Sequence, residues 1–465
     1  MRKNIFYFLI MMVLLVVACS EDTMDEIGTN PNSPTDVPTK LLISQSTVAT
    51  AFDVLGTDLA WYSSVFCEHT TGVHGQLETA DKRTGINSTI GNNSWNSLYS
   101  TVLNDLRIVI EAGSEGSEAG NWTTVGIAKV LSALNYSVAT DLWGEVPMKE
   151  ALAGSENRTP MFDSQEVVYD SLFVLLDEAI ADLRKESIGT PGASDFYYGG
   201  DADAWIKAAY ALKARLYNRK SNIDATGSAD DALAAINNAF ESADDNMVFD
   251  SFTTDATGEH PWYQESNDRS HHAISETLFD LMDGLNDPRI DLWFGTVGGE
   301  YVPAPNGSAA TDQSGDIYSR ASGDYLKATS PLPIITFDEL KFIEAEANLR
   351  LNQATEAYSA YLEAVKEALI RAGVEEDERT AYLELSTVSP GSDNLTLNHI
   401  MEQKYISLWL FQSIEAYNDY RRTRIPTMQN SISAPPERIP YANDEVSSNP
   451  NVPDRNSASK VWWAK

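Results

Sequence analysis

The chain of 465 residues carries 68 acidic and 33 basic side chains, a formal net charge of −35 at pH 7. So acidic a surface repels nucleic acid and anionic lipid, which excludes both as expected partners. The cysteines are Cys19 and Cys67, so no disulfide framework is available and stability has to come from a packed core.

The N-terminus has the organisation of an export signal. Arg2 and Lys3 precede an apolar run over residues 5–18, shorter than the roughly 20 residues that span a bilayer as a helix. This pattern predicts a signal peptide over residues 1–18. Residues 15–19, Leu-Val-Val-Ala-Cys, resemble the lipobox of bacterial lipoproteins, which implies acylation of Cys19. An ordinary cleaved signal with an incidental cysteine is the alternative.

Residues 19–40 follow as a segment without a hydrophobic period. Pro31, Pro34 and Pro38 stand among asparagine, serine and threonine, a composition typical of extended chain and turns. We expect a lipidated, flexible tether over residues 19–40 and a single α-helical domain over residues 41–465.

From residue 41 the apolar spacing is mostly helical. Ile127, Leu131, Leu134 and Val138 share one helical face. Capping signals at residues 163–166 and 336–339 predict the starts of two helices. Further helices are predicted over residues 204–218, 230–240, 355–371 and 398–421. Short polar turns between these helices favour stacked hairpins of the tetratricopeptide kind. The repeat consensus is not visible, so a non-repeating helical bundle is the alternative.

Two regions, residues 66–96 and 245–335, break the helical pattern. They are rich in glycine, and the second is also rich in proline and aromatic residues. Loops this long are usually functional or disordered, and the aromatic content argues against disorder. We therefore expect both regions to be ordered and irregular.

Motifs of common enzyme classes are missing from the sequence. It contains no Gly-x-Ser-x-Gly, no phosphate loop and no Gly-x-Gly-x-x-Gly. No two histidines have the i, i+4 spacing of a helical zinc site. Carboxylate pairs such as Glu265 and Asp268 arise by chance among so many acids, most of which belong to solvated faces. We expect a protein without catalytic activity, metal or cofactor.

Several segments, in order, resemble the SusD/RagB family of nutrient-binding outer-membrane lipoproteins. One is Asp-Leu-Trp-Gly-Glu-Val-Pro at residues 141–147, which is similar to a turn that follows a helix in that family. The segments that carry the resemblance are residues 126–147, 169–183, 205–217, 342–350 and 402–426. The resemblance spans nearly the whole mature chain. It implies a mostly α fold, in which a tetratricopeptide-like hairpin scaffold carries a loop-rich ligand-binding lobe.

The resemblance also implies a function. Such a protein is lipid-anchored in the outer membrane and exposed at the cell surface. It captures an oligosaccharide or oligopeptide without catalysis and delivers it to a TonB-dependent, SusC-like transporter. A secreted glycoside hydrolase and a helical-repeat assembly scaffold are the alternatives.

Aromatic residues of the irregular regions are the predicted ligand contacts. Tryptophan and tyrosine offer apolar faces to sugar rings, while polar groups take the hydroxyls. Trp262, Tyr263 and Arg269 rank first because they follow Pro261 in the longer region. The other predicted contacts are Trp61, Trp95, Trp293, Tyr301 and Tyr325. Trp143 is assigned to packing, and Arg421 and Arg422 to structural ion pairs or helix capping.

Overall fold

The computed structural model describes residues 37–465. The predicted signal peptide, Cys19 and most of the predicted tether lie outside the described residues. The first helix begins at Thr39, within the last residues of the tether prediction. In the part of the chain that the structure describes, no helix is long and apolar enough to cross a membrane.

Helices make up most of the structure, and the mostly α fold predicted from the sequence is confirmed. The α-helices of the first half are α1 (Thr39–Ala49), α2 (Asp58–Phe66), α3 (Gly75–Asp81), α4 (Asn92–Asn96), α5 (Asn104–Ser114), α6 (Trp122–Trp143), α7 (Gln165–Leu183), α8 (Ala202–Arg219) and α9 (Gly227–Ile236). Those of the second half are α10 (Pro261–Gln264), α11 (Glu276–Gly284), α12 (Arg289–Trp293), α13 (Phe337–Arg350), α14 (Ala354–Arg371), α15 (Glu376–Leu383), α16 (Leu397–Ser407), α17 (Ser413–Thr423) and α18 (Asn443–Ser448).

Helices that follow one another in the chain pack side by side. Each of α5 to α8 packs against the next helix, and α13 packs against α14. Helix α9 also contacts α13, so the later hairpin joins the same stack. Each amphipathic helix buries its apolar stripe against its neighbours in this arrangement. The predicted scaffold of tetratricopeptide-like hairpins is therefore confirmed.

Helix α6 is the central element of the scaffold. Every residue of α6 except Trp122 and Lys129 is buried, so the helix is covered on all sides and not only along the predicted stripe. It ends at Gly144, whose φ of +85° favours glycine. A Cβ at this position would lie 2.3 Å from the Arg438 guanidinium, so close packing against the C-terminal segment also requires glycine.

Helix starts and ends agree with the sequence in part. Ser164 caps α7 as predicted, since its hydroxyl accepts a hydrogen bond from the Val167 amide. The predicted capping box at residues 336–339 is wrong. The Thr336 hydroxyl makes no capping bond to α13, and the Glu339 carboxylate binds Arg215 instead of the Thr336 amide.

The predicted helix over residues 398–421 is two helices, α16 and α17. The chain turns between them at Leu410, which has a φ of +64°. A non-glycine residue in this left-handed conformation cannot continue a right-handed helix. The apolar period continues across the turn, which is why the sequence pattern reads as one helix.

Two small antiparallel sheets tie the irregular regions together. Strand β1 (Thr70–Gly72) pairs with β3 (His272–Ile274), and β2 (Met247–Phe249) pairs with β4 (Leu332–Ile335). The first sheet joins residues 66–96 to residues 245–335. We call these two regions together the loop lobe. Strands and short helices in these regions satisfy the hydrogen bonds of the backbone N–H and C=O groups, which an ordered segment needs.

A network of buried ions fastens α17 to the scaffold. Arg422 pairs with Asp419 at 2.9 Å, on its own helix, and with Glu346 of α13. Arg215 of α8 binds Glu339 of α13 through two hydrogen bonds of 2.5 and 2.7 Å. All five side chains are buried. The structural ion pair predicted for Arg422 is present.

Arg421, the neighbour of Arg422, forms hydrogen bonds to backbone carbonyls and no ion pair within residues 37–465. Its guanidinium donates to the backbone carbonyls of Asp141, at 2.7 Å, and Glu437, at 2.9 Å. It also lies 4.9 Å from the ring centre of Trp463. The C-terminal segment is thereby held against α6 and α17.

Candidate ligand-binding site

A cavity of about 740 Å³ opens between the N-terminal helices and the loop lobe. This volume lies in the range of small-molecule sites in proteins. Its wall is mostly polar, and several of its members are carboxamides. The carboxamides are Gln76, Asn87, Asn92, Asn93 and Asn443. Such groups both donate and accept hydrogen bonds, which suits a ligand with many hydroxyls.

Two aromatic residues of α2, Trp61 and Tyr62, line the same cavity. Each is only 6% exposed, so both are held firmly by the core. The Trp61 ring packs edge-on against Trp262, with ring centres 6.5 Å apart. Trp262 in turn packs edge-on against His272. The two tryptophans thus form a supported aromatic wall in which Trp61 faces the ligand space.

Arg269 covers the Trp61 ring. Its guanidinium lies 5.5 Å from the ring centre, within the distance at which an aromatic face attracts a cation. Arg269 ends the π-helical turn Glu265–Arg269, and the next residue, Ser270, is left-handed with a φ of +54°. Among residues 37–465 the Arg269 side chain has no hydrogen bond or ion pair at contact distance, so the ring and the nearby Asp58 charge are what hold it.

The Trp61 indole nitrogen is buried, and no acceptor in the described chain takes its proton. An unsatisfied buried donor costs about 1–3 kcal/mol. Trp61 itself lines the cavity, although its indole nitrogen is enclosed within the wall. Its place in the wall makes Trp61 a candidate contact for a ligand.

Two carboxylates, Asp53 and Asp58, also line the cavity. Burial raises the pKa of Asp58, and the Asn93 hydrogen bond and the Arg269 charge only partly oppose this. Burial likewise raises the pKa of Asp53, against a hydrogen bond from Ser97. Burial and the Asp58 charge raise the pKa of Tyr62 to about 12, so at neutral pH its hydroxyl keeps a proton to donate.

The rim of the cavity is held by paired amides. Asn92 donates to the Asp444 carboxylate at 3.0 Å and accepts from the Asp444 amide at 2.9 Å. Asn96 donates to the same carboxylate at 2.7 Å. Helix α18 is thereby fastened to α4 at the edge of the site. A rim organised before binding lowers the entropy cost of capturing a ligand.

Only some of the predicted ligand contacts line the cavity in the structure. Trp61 and Arg269 line the cavity. Trp262 does not line it, because its ring is fully buried behind Trp61. Tyr263 is half-buried against the main core. Trp95 is 3% exposed, and it packs edge-on against Trp143 at 5.1 Å.

The remaining predicted aromatics lie elsewhere in the loop lobe. Trp293 and Tyr325 stack on Trp409, with ring centres 5.1 and 5.2 Å away. The Tyr301 hydroxyl donates to Asp291 at 2.7 Å. None of these three lines the cavity described above. They build the frame on which the loops rest.

Sequence reasoning missed the polar residues that line most of the cavity. Asn92 and Asn93 begin α4, and Asp58 begins α2. The adjacent pairs Trp61-Tyr62 and Asn92-Asn93 were the available signal, since aromatic and amide side chains together are typical of sugar sites. Which of many asparagines meet a given tryptophan depends on contacts distant in sequence.

The two carboxylates considered for hydrolysis lie in different surroundings. Glu265 is buried and binds His272 Nδ1, whereas Asp268 is exposed. Burial by itself raises the pKa of Glu265, but the charge and hydrogen bond of His272 outweigh it, so the pKa lies below the ordinary value. In residues 37–465 no group of three or more histidine, cysteine or acidic side chains could hold a metal.

Asp81 at the end of α3 ties the two regions of the loop lobe together. Its Oδ2 accepts the Gly307 amide at 2.6 Å, while Oδ1 is buried without a partner. Burial raises the pKa of Asp81 to about 7 from an ordinary 3.8. The folded state therefore binds its proton more tightly than the unfolded state does, which favours folding at low pH.

We expect this stabilisation to be lost as pH rises from about 4 to about 7, by roughly 2–4 kcal/mol. Asp81→Asn should flatten that slope, and urea unfolding measured across this pH range checks it. Asp377→Asn, a change at an exposed position of α15, should keep the wild-type slope. An unchanged slope in Asp81→Asn contradicts the assignment.

Comparisons with known proteins agree on one family. A family model described as SusD-like, starch-binding and associating with the outer membrane matches residues 31–442. A SusD/RagB family protein from Bacteroides thetaiotaomicron has a similar structure, with a TM-score of 0.82 and 30% identity, over 92% of this chain and 99% of that one. A comparison with curated protein sequences finds no match.

Two further solved structures share the fold. A chitin-binding SusD homolog from Flavobacterium johnsoniae has a TM-score of 0.79 and 21% identity, over 91% of this chain and 98% of that one. A SusD homolog from Bacteroides uniformis has a TM-score of 0.77 and 23% identity, over 92% of this chain and 100% of that one. By its family match and its whole-length structural likeness, the chain belongs to the SusD-like family.

Proposed function

We propose that this protein is a cell-surface lipoprotein of the outer membrane that captures an oligosaccharide and delivers it, unmodified, to a TonB-dependent transporter of the SusC type. The observation that carries the proposal is the cavity in whose wall the Trp61 ring stands among several carboxamides. The starch-binding description of the family supports a glycan as the ligand.

The chemistry of the cavity matches that of a sugar. A pyranose ring has an apolar face, which stacks on an aromatic ring, and a hydroxyl rim, which needs both donors and acceptors. Trp61 supplies the face, and Asn87, Asn92 and Asn93 supply both kinds of hydrogen-bonding group. An oligopeptide is the other ligand class, and it would use the same amides for its backbone.

Anchoring follows from the N-terminal sequence. The lipobox at residues 15–19 supplies Cys19 for acylation. The proline-containing segment that follows is long enough to hold the folded domain away from the membrane. The family description supports an outer-membrane location. A body held at the surface beside a transporter binds its ligand at high local concentration, which makes modest affinity sufficient.

The test is a binding screen with product analysis. The full chain carrying Cys19→Ser is titrated calorimetrically with libraries of oligosaccharides and oligopeptides, and the ligand is then analysed by mass spectrometry. We expect an oligosaccharide to bind and to be recovered intact. Shortened products would favour a hydrolase, and binding of peptides alone would replace the ligand class. Failure of every oligosaccharide to bind would contradict the proposal.

Transporter delivery is tested by co-purification from outer membranes of the native host. We expect the wild-type lipoprotein to be recovered with a TonB-dependent transporter. Its recovery without any transporter, from membranes solubilised in mild detergent, would contradict the partner that we propose.

Cys19→Ser is expected to move the protein from the membrane fraction to the soluble fraction. Acyl chains contribute about 0.8 kcal/mol per buried CH₂ to membrane binding, and the variant lacks the acceptor thiol. Cys67→Ser is the matched control, because Cys67 is fully buried in the folded domain. Fractionation followed by immunoblotting measures both, and a membrane-bound Cys19→Ser protein would contradict lipidation.

A further inference from the structure

The charges around Trp61 point to a narrower class of ligand, an inference that rests on the proposed function. We propose that the cavity is selective for an oligosaccharide with a free, protonated amino group, and that this group replaces the Arg269 guanidinium over Trp61 and beside Asp58. The ligand class is thus a cationic amino sugar, in preference to neutral, N-acetylated or acidic sugars.

The first step of the argument is the position of Arg269. Its guanidinium lies 5.5 Å from the centre of the Trp61 ring. The face that a sugar would stack on is therefore already covered by a cation. Arg269 is exposed, and its attractions to the Trp61 ring and to the Asp58 charge are what a ligand has to replace.

The second step is the balance of charge in the cavity. Asp53, Asp58 and Arg269 are the charged members of its wall. When Arg269 moves away, two carboxylates remain, both already desolvated by burial, which raises their pKa. A neutral ligand would leave them uncompensated, whereas a ligand ammonium would restore the balance. An acidic sugar would add a third negative charge.

The third step is the match between the ammonium and its surroundings. The Trp61 face attracts a cation, and the Asp58 carboxylate accepts charge-assisted hydrogen bonds. Gln76 and Asn87, which also lie in the cavity wall, can bind the ring hydroxyls. The protein's net charge of −35 also draws cationic ligands from solution and raises their association rate.

The test compares three oligosaccharides of equal length: one of free glucosamine units, its fully N-acetylated form and a uronic acid oligomer. Calorimetric titration of the Cys19→Ser chain at about pH 6 keeps amines protonated and most carboxylates ionised. We expect the amine form to bind about tenfold more tightly than the acetylated form, and the uronic acid oligomer to bind weakest. Raising the salt concentration should reduce only the preference for the amine.

Substitutions then test which cavity residues cause the preference for the amine form. Asp58→Asn should remove most of the tenfold preference by weakening binding of the amine form. Asp377→Asn, which removes a carboxylate far from the cavity wall, should change neither. Circular dichroism confirms that Asp58→Asn is folded, and Asp53→Asn is the substitute if it is not. A preference that survives the loss of either cavity carboxylate overturns the inference.

The Arg269→Ala variant tests whether the ligand displaces Arg269 or binds to it. If Arg269 competes with the ligand, its removal leaves affinity for the amine form unchanged or raises it. A loss of more than about fivefold would show that Arg269 holds the ligand, and would overturn the inference.

The two proposals fail separately. Equal or tighter binding of the acetylated form by the wild-type chain overturns the charge preference and leaves oligosaccharide capture standing. Binding of no oligosaccharide at all overturns both. Binding of basic peptides alone would support a cation-binding cavity but contradict a sugar as its ligand.

Discussion

Replacing Trp61 with alanine is expected to weaken oligosaccharide binding by at least about 30-fold. The indole supplies the aromatic face of the cavity wall, and its N–H is one of several buried donors without an acceptor in residues 37–465. Loss of a central aromatic contact typically costs 2 kcal/mol or more, which corresponds to that factor. Calorimetric titration with the ligand found in the screen measures the change.

The matched control is Trp122→Ala. Trp122 begins α6 and, like Trp61, lies beneath a cation, since Lys185 Nζ is 3.8 Å from its ring centre. It lies outside the cavity wall, so its removal should leave affinity within about twofold. Because Trp61 is also packed against Trp262, urea unfolding must show that Trp61→Ala is folded at the titration temperature. Unchanged affinity in that folded variant would exclude Trp61 from the site.

Replacing Arg422 with alanine is expected to destabilise the protein by about 3–5 kcal/mol. Its guanidinium pairs with Glu346 and Asp419, and all three side chains are buried. Removing one member of a buried ion cluster leaves the others charged and unpaired, which costs more than the pair contributes when intact. The shift in the urea midpoint, converted with the measured slope, gives the free energy of unfolding.

Arg107→Ala is the matched control for this change. Arg107 pairs with Glu111 at 3.0 Å on the exposed face of α5. Such pairs contribute about 0.3–0.5 kcal/mol. If Arg422→Ala costs no more than Arg107→Ala, the buried network does not hold α17 to the scaffold.

The helices could be predicted because their signal is local. The cap at Ser164 and the apolar period behind it are contained within one element, so no distant contact is needed. The failures arise where a distant residue overrides the local pattern. Glu339 is spaced for a capping box at Thr336, yet Arg215, 124 positions away in the sequence, binds its carboxylate.

The site was less predictable than the fold for the same reason. Trp262 and Trp61 both stand at irregular segments, and nothing in the sequence distinguishes the buried ring from the one that faces the cavity. The pairing of β1 with β3 determines which of the two rings is buried, because this sheet brings residues 66–96 against residues 245–335. Trp262 is then enclosed, while Trp61 keeps one side towards the ligand space.

The wall of the cavity comes from three distant parts of the chain: residues 53–93, Arg269 and Asn443. No short fragment contains the whole cavity wall, so we expect only the completely folded chain to bind a ligand at full strength. A ligand that binds the native state alone stabilises it by about 2.7 kcal/mol when present at 100 times its Kd. The melting temperature of the whole domain therefore rises with ligand, and thermal-shift screening of unlabelled glycans becomes a direct route to the natural substrate.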